Sequence, residues 1–264
     1  MNKIVLFDMD GTITPPREPI KEEMVTQLKR LDKHCDIGIV TGSDFAYLYQ
    51  QCKNLLEAIY PAYWNLFPCN GTKKYDISPG STYNNKKWEA VYEVDMRKVI
   101  GSGAYNELIC QLTVFQLEII KEFTDSISEN TIDLSGTFFQ YRGSMLNWCP
   151  IGRSANMEER KKWIQADKKF KLRENIKENI LYDPRFSYID VALGGETSFD
   201  IYPRGWDKTY VMRHLTDYDD IYFVGDACHP GGNDRTLYNL LGERAFHTSG
   251  PEETFEIIEK LIES

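Results

Sequence analysis

Three short apolar runs punctuate the chain. They read KIVLF at 3–7, DIGIV at 36–40 and DIYFVGD at 220–226. Uninterrupted apolar runs of this length are strands covered on both faces, as in a parallel sheet. Between the first two, EPIKEEMVTQLKRLDK places Ile20, Met24, Leu28 and Leu31 at helical spacing with charged residues between them. That is an amphipathic helix, and strand, helix, strand in the first 40 residues is a βαβ unit. The last segment, PEETFEIIEKLIE, has the pattern of a closing amphipathic helix.

The middle of the chain is patterned differently. GTFFQYRG and SYIDVAL alternate or mix polarity, as antiparallel strands with one wet face do. YNELICQLTVFQLEIIKEF and MEERKKWIQADKKFKLRENIKENIL read as helices of a separate α+β unit. Boundaries fall in the turn-rich DISPGSTYNNKK (76–87) and in YPRGWDK (202–208). The expected fold class is therefore α/β, with a Rossmann-like parallel-sheet core formed by 1–88 and 204–264. An α+β cap, 89–203, is inserted between the two halves of the core.

Composition narrows the function classes. The 264 residues carry a formal net charge of −9, which lacks the basic footprint of a non-specific nucleic-acid binder. With 42% hydrophobic and 27% charged residues the chain is globular. No apolar stretch approaches 18 residues, so no membrane span is expected, and MNKIVLFDMDG is not a signal peptide. Six scattered cysteines without a CxxC pair read as reduced thiols of a cytoplasmic protein.

The three apolar strands all end in polar clusters: DMDGT, TGSD and GDACHPGGND. Open α/β sheets bind ligands beyond the carboxyl ends of their strands. Asp8 and Asp10, spaced i, i+2, can point to one side while Met9 points away. Two such carboxylates repel unless a cation lies between them or one holds a proton. Mg²⁺ suits the position, with Asp226 as a further carboxylate. A carboxylate can also attack phosphorus, and a second can move the proton. Phosphoryl transfer needs donors and positive charge on the phosphate oxygens. Thr41, Gly42 and Ser43 offer hydroxyls and backbone N–H groups. Lys208, ahead of the short amphipathic helix TYVMRHL, offers an ammonium, and Asn233 and Asp234 could orient Lys208 or a metal-bound water. Read singly, each group has an ordinary alternative: a strand terminus for the aspartates, a solvated surface residue for the lysine.

DMDGT, the Thr/Ser after the second strand, the later Lys208 and GDACHPGGND, in this order, resemble the four motifs of the haloacid dehalogenase-like phosphotransferases. The resemblance implies Asp8 as nucleophile, Asp10 as general acid and base, and Mg²⁺ held by Asp8, the Asp10 carbonyl and Asp226.

The cap sequence bears on substrate. GTFFQYRGSMLNWCPIGRSANMEER holds Arg142, Arg153 and Arg160. Asn156 with Glu159 three residues on marks a helix start and puts Arg160 in its first turn. A cation there opposes the helix dipole by a few tenths to about 1 kcal/mol, yet an arginine beside a helix N-terminus also suits a bound anion. A solvated arginine is the alternative. Ser198 and Asp200 share one face of a strand and could hydrogen-bond sugar hydroxyls.

DGTITPPR, GSDF, GTFFQYRGSMLNWCPIGRS, EER, GGETSFDIYPRGWDK and GGND are together similar, in order, to the eukaryotic-type phosphomannomutases. That resemblance implies Arg17, Arg142, Arg153 and Arg160 as substrate-binding arginines, and Ser198 and Asp200 as a sugar- and phosphate-contacting pair. It implies interconversion of mannose 6-phosphate and mannose 1-phosphate through an aspartyl-phosphate and a hexose 1,6-bisphosphate, which also serves as activator, in the route to GDP-mannose. A homodimer through the cap is implied as well. Thr41 departs from the family's GGSD, and Leu240 stands where the family has an aspartate of a second metal site. The rival readings are a Mg²⁺-dependent sugar-phosphate phosphatase on the same scaffold, which Thr41 favours, and a non-catalytic binding protein.

Overall fold

The structure, a computed structural model, describes residues 2–58, 64–77, 89–125, 134 and 136–263. Chain contacts divide it into two compact units, Met1–Val94 with Trp206–Ser264, and Asp95–Gly205.

In the first unit β1 (Lys3–Phe7) leads to α1 (Glu22–Leu31), β2 (Asp36–Val40), α2 (Phe45–Ala58), β3 (Trp64–Phe67), β4 (Lys73–Ile77) and β5 (Tyr92–Glu93). The second unit contains α3 (Met96–Ile100), α4 (Ser102–Asp125), β6 (Phe139–Tyr141), β7 (Leu146–Trp148), α5 (Met157–Phe170), α6 (Leu172–Tyr182), β8 (Ile189–Gly194) and β9 (Ser198–Pro203). The chain returns to the first unit with β10 (Asp220–Gly225), α7 (Arg235–Leu241), β11 (Ala245–His247) and α8 (Pro251–Glu263).

The larger sheet has the order β11-β10-β1-β2-β3-β4-β5. Its first five strands are mutually parallel, and β4 and β5 add antiparallel pairings at one edge. The unbroken apolar runs have a direct cause. Val5 and Phe7 of β1 pack into a core with α1, α2 and α8, while Ile4 and Leu6 pack into a second core on the other face with α7. Each such buried aliphatic or aromatic side chain is worth roughly 1.5–3 kcal/mol. Ile20, Met24, Leu28 and Leu31 all enter the first core, as their spacing predicts. The helix itself starts only at Glu22, because Lys21 before it is extended.

The second unit is built on a four-stranded antiparallel sheet, β6-β7-β9-β8. The stretch 157–181 forms two helices rather than one. Lys171 takes a left-handed conformation at φ 53, and the break is pinned by Asp167, which accepts from the Arg173 backbone N–H at 2.8 Å and from its Nε at 2.6 Å. TYVMRHL belongs to a short 3-10 helix that begins at Lys208 itself. The turn-rich stretch 76–87 lies for the most part outside the described residues. Because β5 pairs with β4, the first unit runs on to Val94.

Candidate active site

Parallel register brings the first aspartates together. β1 and β10 pair with Phe7 opposite Val224, and the Asp8 N–H donates to the Val224 carbonyl at 2.9 Å. Asp8 and Asp226 therefore leave neighbouring strands at the same end of the sheet. Asp234 arrives from the turn before α7. Asp8, Asp226 and Asp234 each offer an oxygen within 4.8 Å of the others.

Lys208 sits among them with no exposed surface. Its ammonium donates to Asp8 Oδ1 at 2.6 Å and to Asp234 Oδ1. Asp234 Oδ2 accepts the Ala227 N–H at 3.0 Å. Asp207 starts the 3-10 helix by accepting the Thr209 N–H at 2.8 Å, so the lysine is placed by a capped turn.

Two glycines make room for the carboxylates. A Cβ on Gly11, which has φ 80, would lie 2.4 Å from Asp226 Oδ2. A Cβ on Gly225 would lie 2.6 Å from Asp234 Oδ2.

Three carboxylates surround one ammonium, and the imbalance shows in their proton affinities. Burial, opposed by Lys208 and reinforced by Asp234 and Asp226, raises Asp8 well above the usual carboxylate range. Burial and the charge of Asp234 push Asp226 up to about 6. Burial alone would lower Lys208, but Asp234 and then Asp8 outweigh it and keep it charged. A small divalent cation fits this donor set: it takes hard oxygen ligands and supplies the missing positive charge. Since Asp234 is already engaged by Lys208 and Ala227, Asp8 and Asp226 are the side chains best suited to hold it.

Asp10 follows on a tight turn in which Thr12, Ile13 and Thr14 N–H groups return to the Met9 carbonyl at 3.0–3.2 Å. Met9 points into the core with no exposed surface, as the i, i+2 argument requires. Asp10 Oδ1 accepts from the Arg17 backbone N–H at 3.2 Å and from the Tyr47 hydroxyl at 3.1 Å. Burial raises Asp10, and those two bonds pull the other way. Arg17 is exposed and has φ 64, a left-handed conformation that is strained for a non-glycine residue. Tyr47 escaped the sequence analysis. It lies in the first turn of α2, where its own N–H caps onto Asp44 Oδ1 at 3.0 Å, and the GSDF start of that helix was its only local signal.

Thr41, Gly42 and Ser43 follow β2. Thr41 is buried, and its hydroxyl accepts the Ser43 N–H at 3.1 Å, which turns that donor inward. The loop is also held from behind, with Asn70 N–H on the Thr41 carbonyl and Cys69 N–H on the Ser43 carbonyl, both at 2.8 Å. Asn233 is half-buried beside Asp234.

The remaining candidates lie in the second unit. Arg142 pairs with Asp200 at 3.4 Å. Asp200 Oδ1 also accepts from Asn147 Nδ2 at 2.8 Å, and Asn147 Oδ1 accepts from Arg153 Nη1 at 2.7 Å. Asn147 and Asp200 are direct cross-strand partners of β7 and β9. Asn156 caps α5 in a complete capping box with Glu159. Arg160 in that first turn is buried, not solvated. It donates to the carbonyls of Ala155 at 3.0 Å and Arg153 at 2.8 Å, and to Thr197 Oγ1 at 2.9 Å. Ser198 is buried on the same strand as Asp200. Asn147 also went unsuspected, since β7 itself is too short to stand out as a strand in the sequence.

Comparison with known proteins addresses the family and the fold. The family model described as eukaryotic phosphomannomutase matches residues 24–264. A phosphomannomutase of Spinacia oleracea is 34% identical over 255 residues, 96% of this chain and 93% of that protein. A probable phosphomannomutase of Caenorhabditis elegans is 32% identical, over 98% of this chain and 95% of that protein. Among solved structures, the C-terminal domain of a Candida albicans trehalose-6-phosphate phosphatase aligns at TM-score 0.60 and 16% identity, covering 99% of this chain and 92% of that one. A Plasmodium falciparum IMP-nucleotidase mutant aligns at TM-score 0.60 and 16% identity, covering 100% and 69%. The solved structures establish the parallel-sheet α/β fold. The family model and the full-length relatives go further: this chain belongs to the eukaryotic phosphomannomutase family.

Proposed function

We propose that this protein is a phosphomannomutase, interconverting mannose 6-phosphate and mannose 1-phosphate through an aspartyl-phosphate and a hexose 1,6-bisphosphate. The observation that carries the reading is the pairing, in one chain, of a carboxylate site built for phosphoryl transfer with a separate arginine network suited to an anion. A monophosphatase needs only the first. A mutase must also grip the phosphate that is not reacting.

Asp8 attacks phosphorus of a bound hexose 1,6-bisphosphate and forms the acyl-phosphate as that ester P–O bond breaks; the sugar monophosphate turns end for end, and the phosphoryl group passes to its other hydroxyl to regenerate a bisphosphate. Asp10 protonates the leaving sugar oxygen and later takes the proton from the accepting hydroxyl. The raised proton affinity that burial confers on Asp10 suits a group that must give and receive a proton. Lys208 neutralises Asp8 in the resting site and lies within reach of the phosphoryl oxygens. Thr41, Gly42 and Ser43 supply further donors. Asp8, the Asp10 carbonyl and Asp226 would hold Mg²⁺, which supplies charge stabilisation to the phosphoryl oxygens. Asn233 and Asp234 support this arrangement, Asp234 through its bond to Lys208. Leu240, an exposed residue of α7, offers no ligand oxygen, so the reading needs a single ion.

In the cap, Arg142 and Arg153 grip the distal phosphate, with Ser198 and Asp200 contacting the sugar. Arg160 acts through Arg153 by holding its main chain. Arg17 contributes at the reacting end, beside Asp10. A hexose 1,6-bisphosphate serves as activator by charging Asp8. A reducing, cytoplasmic setting accords with six free cysteines, and a homodimer through the cap is part of the same reading. No helix among the described residues is long and apolar enough to cross a membrane.

The test is a coupled assay with mannose 1-phosphate, with and without a hexose 1,6-bisphosphate, counting free phosphate in parallel. Mannose 6-phosphate should form, faster with activator and in excess over free phosphate. Free phosphate and mannose alone would make the enzyme a phosphatase.

A further inference from the structure

We propose that Asn147 is a positioning residue for substrate binding: its side-chain amide sets the spacing and orientation of the Asp200 carboxylate and the Arg153 guanidinium. The proposal rests on the reading of Arg153 and Asp200 as substrate-gripping groups given above.

Asn147 is 3% exposed and central in its sheet, with Gln140 of β6 on one side and Asp200 of β9 on the other. Its amide nitrogen donates to Asp200 Oδ1 at 2.8 Å and to the Phe199 carbonyl at 3.3 Å. Its amide oxygen accepts from Arg153 Nη1 at 2.7 Å. An ionised carboxylate can only accept and a guanidinium can only donate, so one orientation of the amide serves both neighbours. Of the side chains of this size, asparagine alone offers a donor atom and a separate acceptor atom. An aspartate would present an acceptor to Asp200, and a leucine would present nothing to either.

The chain of contacts runs Arg142, Asp200, Asn147, Arg153. Its ends are arginines; the Asp200 carboxylate meets Arg142, and the link from Asp200 on to Arg153 is the neutral Asn147 amide. A neutral link orients Arg153 without neutralising it, which a carboxylate in the same place would do. The guanidinium therefore reaches a ligand already aimed, and less side-chain freedom is lost on binding.

The test measures KM and kcat for mannose 1-phosphate, together with melting midpoints, in Asn147→Ala, Asn147→Asp and the controls Arg153→Ala and Asp200→Ala. Either product, isomer or free phosphate, serves as the readout. Asn147→Ala should raise KM about 10-fold, with kcat changed less than about threefold. The nearly isosteric Asn147→Asp should raise KM further, because it repels Asp200 and captures Arg153. A lowered melting midpoint with unchanged KM in both variants would overturn the proposal and leave Asn147 a packing residue. An aspartate variant milder than the alanine would overturn the amide-orientation argument. If Arg153→Ala and Asp200→Ala themselves leave KM unchanged, the assignment of substrate grip to the cap fails and the proposal falls with it. If those controls raise KM and both Asn147 variants do not, this proposal alone is wrong.

Discussion

The aspartate cluster of the first unit and the arginine network of the second solve opposite electrostatic problems. Around Lys208, three carboxylates crowd one ammonium, and burial raises the proton affinity of Asp8 and Asp226. Around Asn147, the observed bonds of Arg153 and Arg160 run to an amide, a hydroxyl and backbone carbonyls. Those partners orient a cation without cancelling it. One region gathers carboxylates around a single ammonium, and the other holds arginines on a frame of amide, hydroxyl and carbonyl groups. On the proposed function, a divalent cation and a phosphate would be their complementary occupants.

The contrast can be broken most sharply at Asp8. Asp8→Asn keeps the shape and removes the nucleophile, and turnover should fall by about 10⁴-fold or more in both isomer and free-phosphate assays. Residual activity near wild type would remove the aspartyl-phosphate from the reading. Next comes Lys208→Met, which leaves Asp8 and Asp234 buried without their shared cation. Urea titration should show a loss of about 3 kcal/mol or more, with most activity gone. Arg142→Ala probes the other region. KM for mannose phosphate should rise about 10-fold, and stability should fall as well, since the lost pair with Asp200 is largely buried, with side chains 7% and 14% exposed.

A smaller effect concerns pH. Burial and the charge of Asp234 push Asp226 up to about 6 from an ordinary value of 3.8, so between about 4 and 6 the folded protein binds more protons there than the unfolded chain. Its contribution to stability therefore falls as pH rises through that window and stays unfavourable above it. In chelator-treated protein, Asp226→Asn should gain on wild type from pH 4 to 6, by on the order of 1–2 kcal/mol, and Mg²⁺ should narrow the gap at pH 7. A stability difference that is flat across the window would show that the site is not carboxylate-crowded. The smallest change expected is Asn156→Ala. It removes the capping box of α5 and should lower stability by about 1 kcal/mol, seen as a modest drop in melting midpoint.

The two regions were also unequally legible in the sequence. β1 and β2 begin and end where their apolar runs do, because burial on both faces leaves a signal at every position. The Asp8 and Asp226 neighbours follow from parallel register at strand ends. The closing helix matches its pattern over Pro251–Glu263, because one face alone is buried. What stayed hidden depends on distant partners. Lys208 looks like a solvated lysine locally, and its burial comes from Asp8, 200 positions away. Tyr47 and Asn147 carry no motif of their own, and their roles exist only through Asp10 and Asp200. Arg160 shows the converse: its place at a helix start was visible, but not the carbonyls that bury it. The break at Lys171 was invisible because Asp167 and Arg173, four and two positions from it on either side, resemble ordinary helix surface.

The left-handed backbone of Arg17 carries a further consequence. That conformation costs an ordinary residue on the order of 1 kcal/mol, and glycine pays almost none of it. A screen for thermostability alone would therefore favour Arg17→Gly, and the winning variant would lose a guanidinium beside Asp10. Tolerance to heat and competence in turnover pull on this one position in opposite directions.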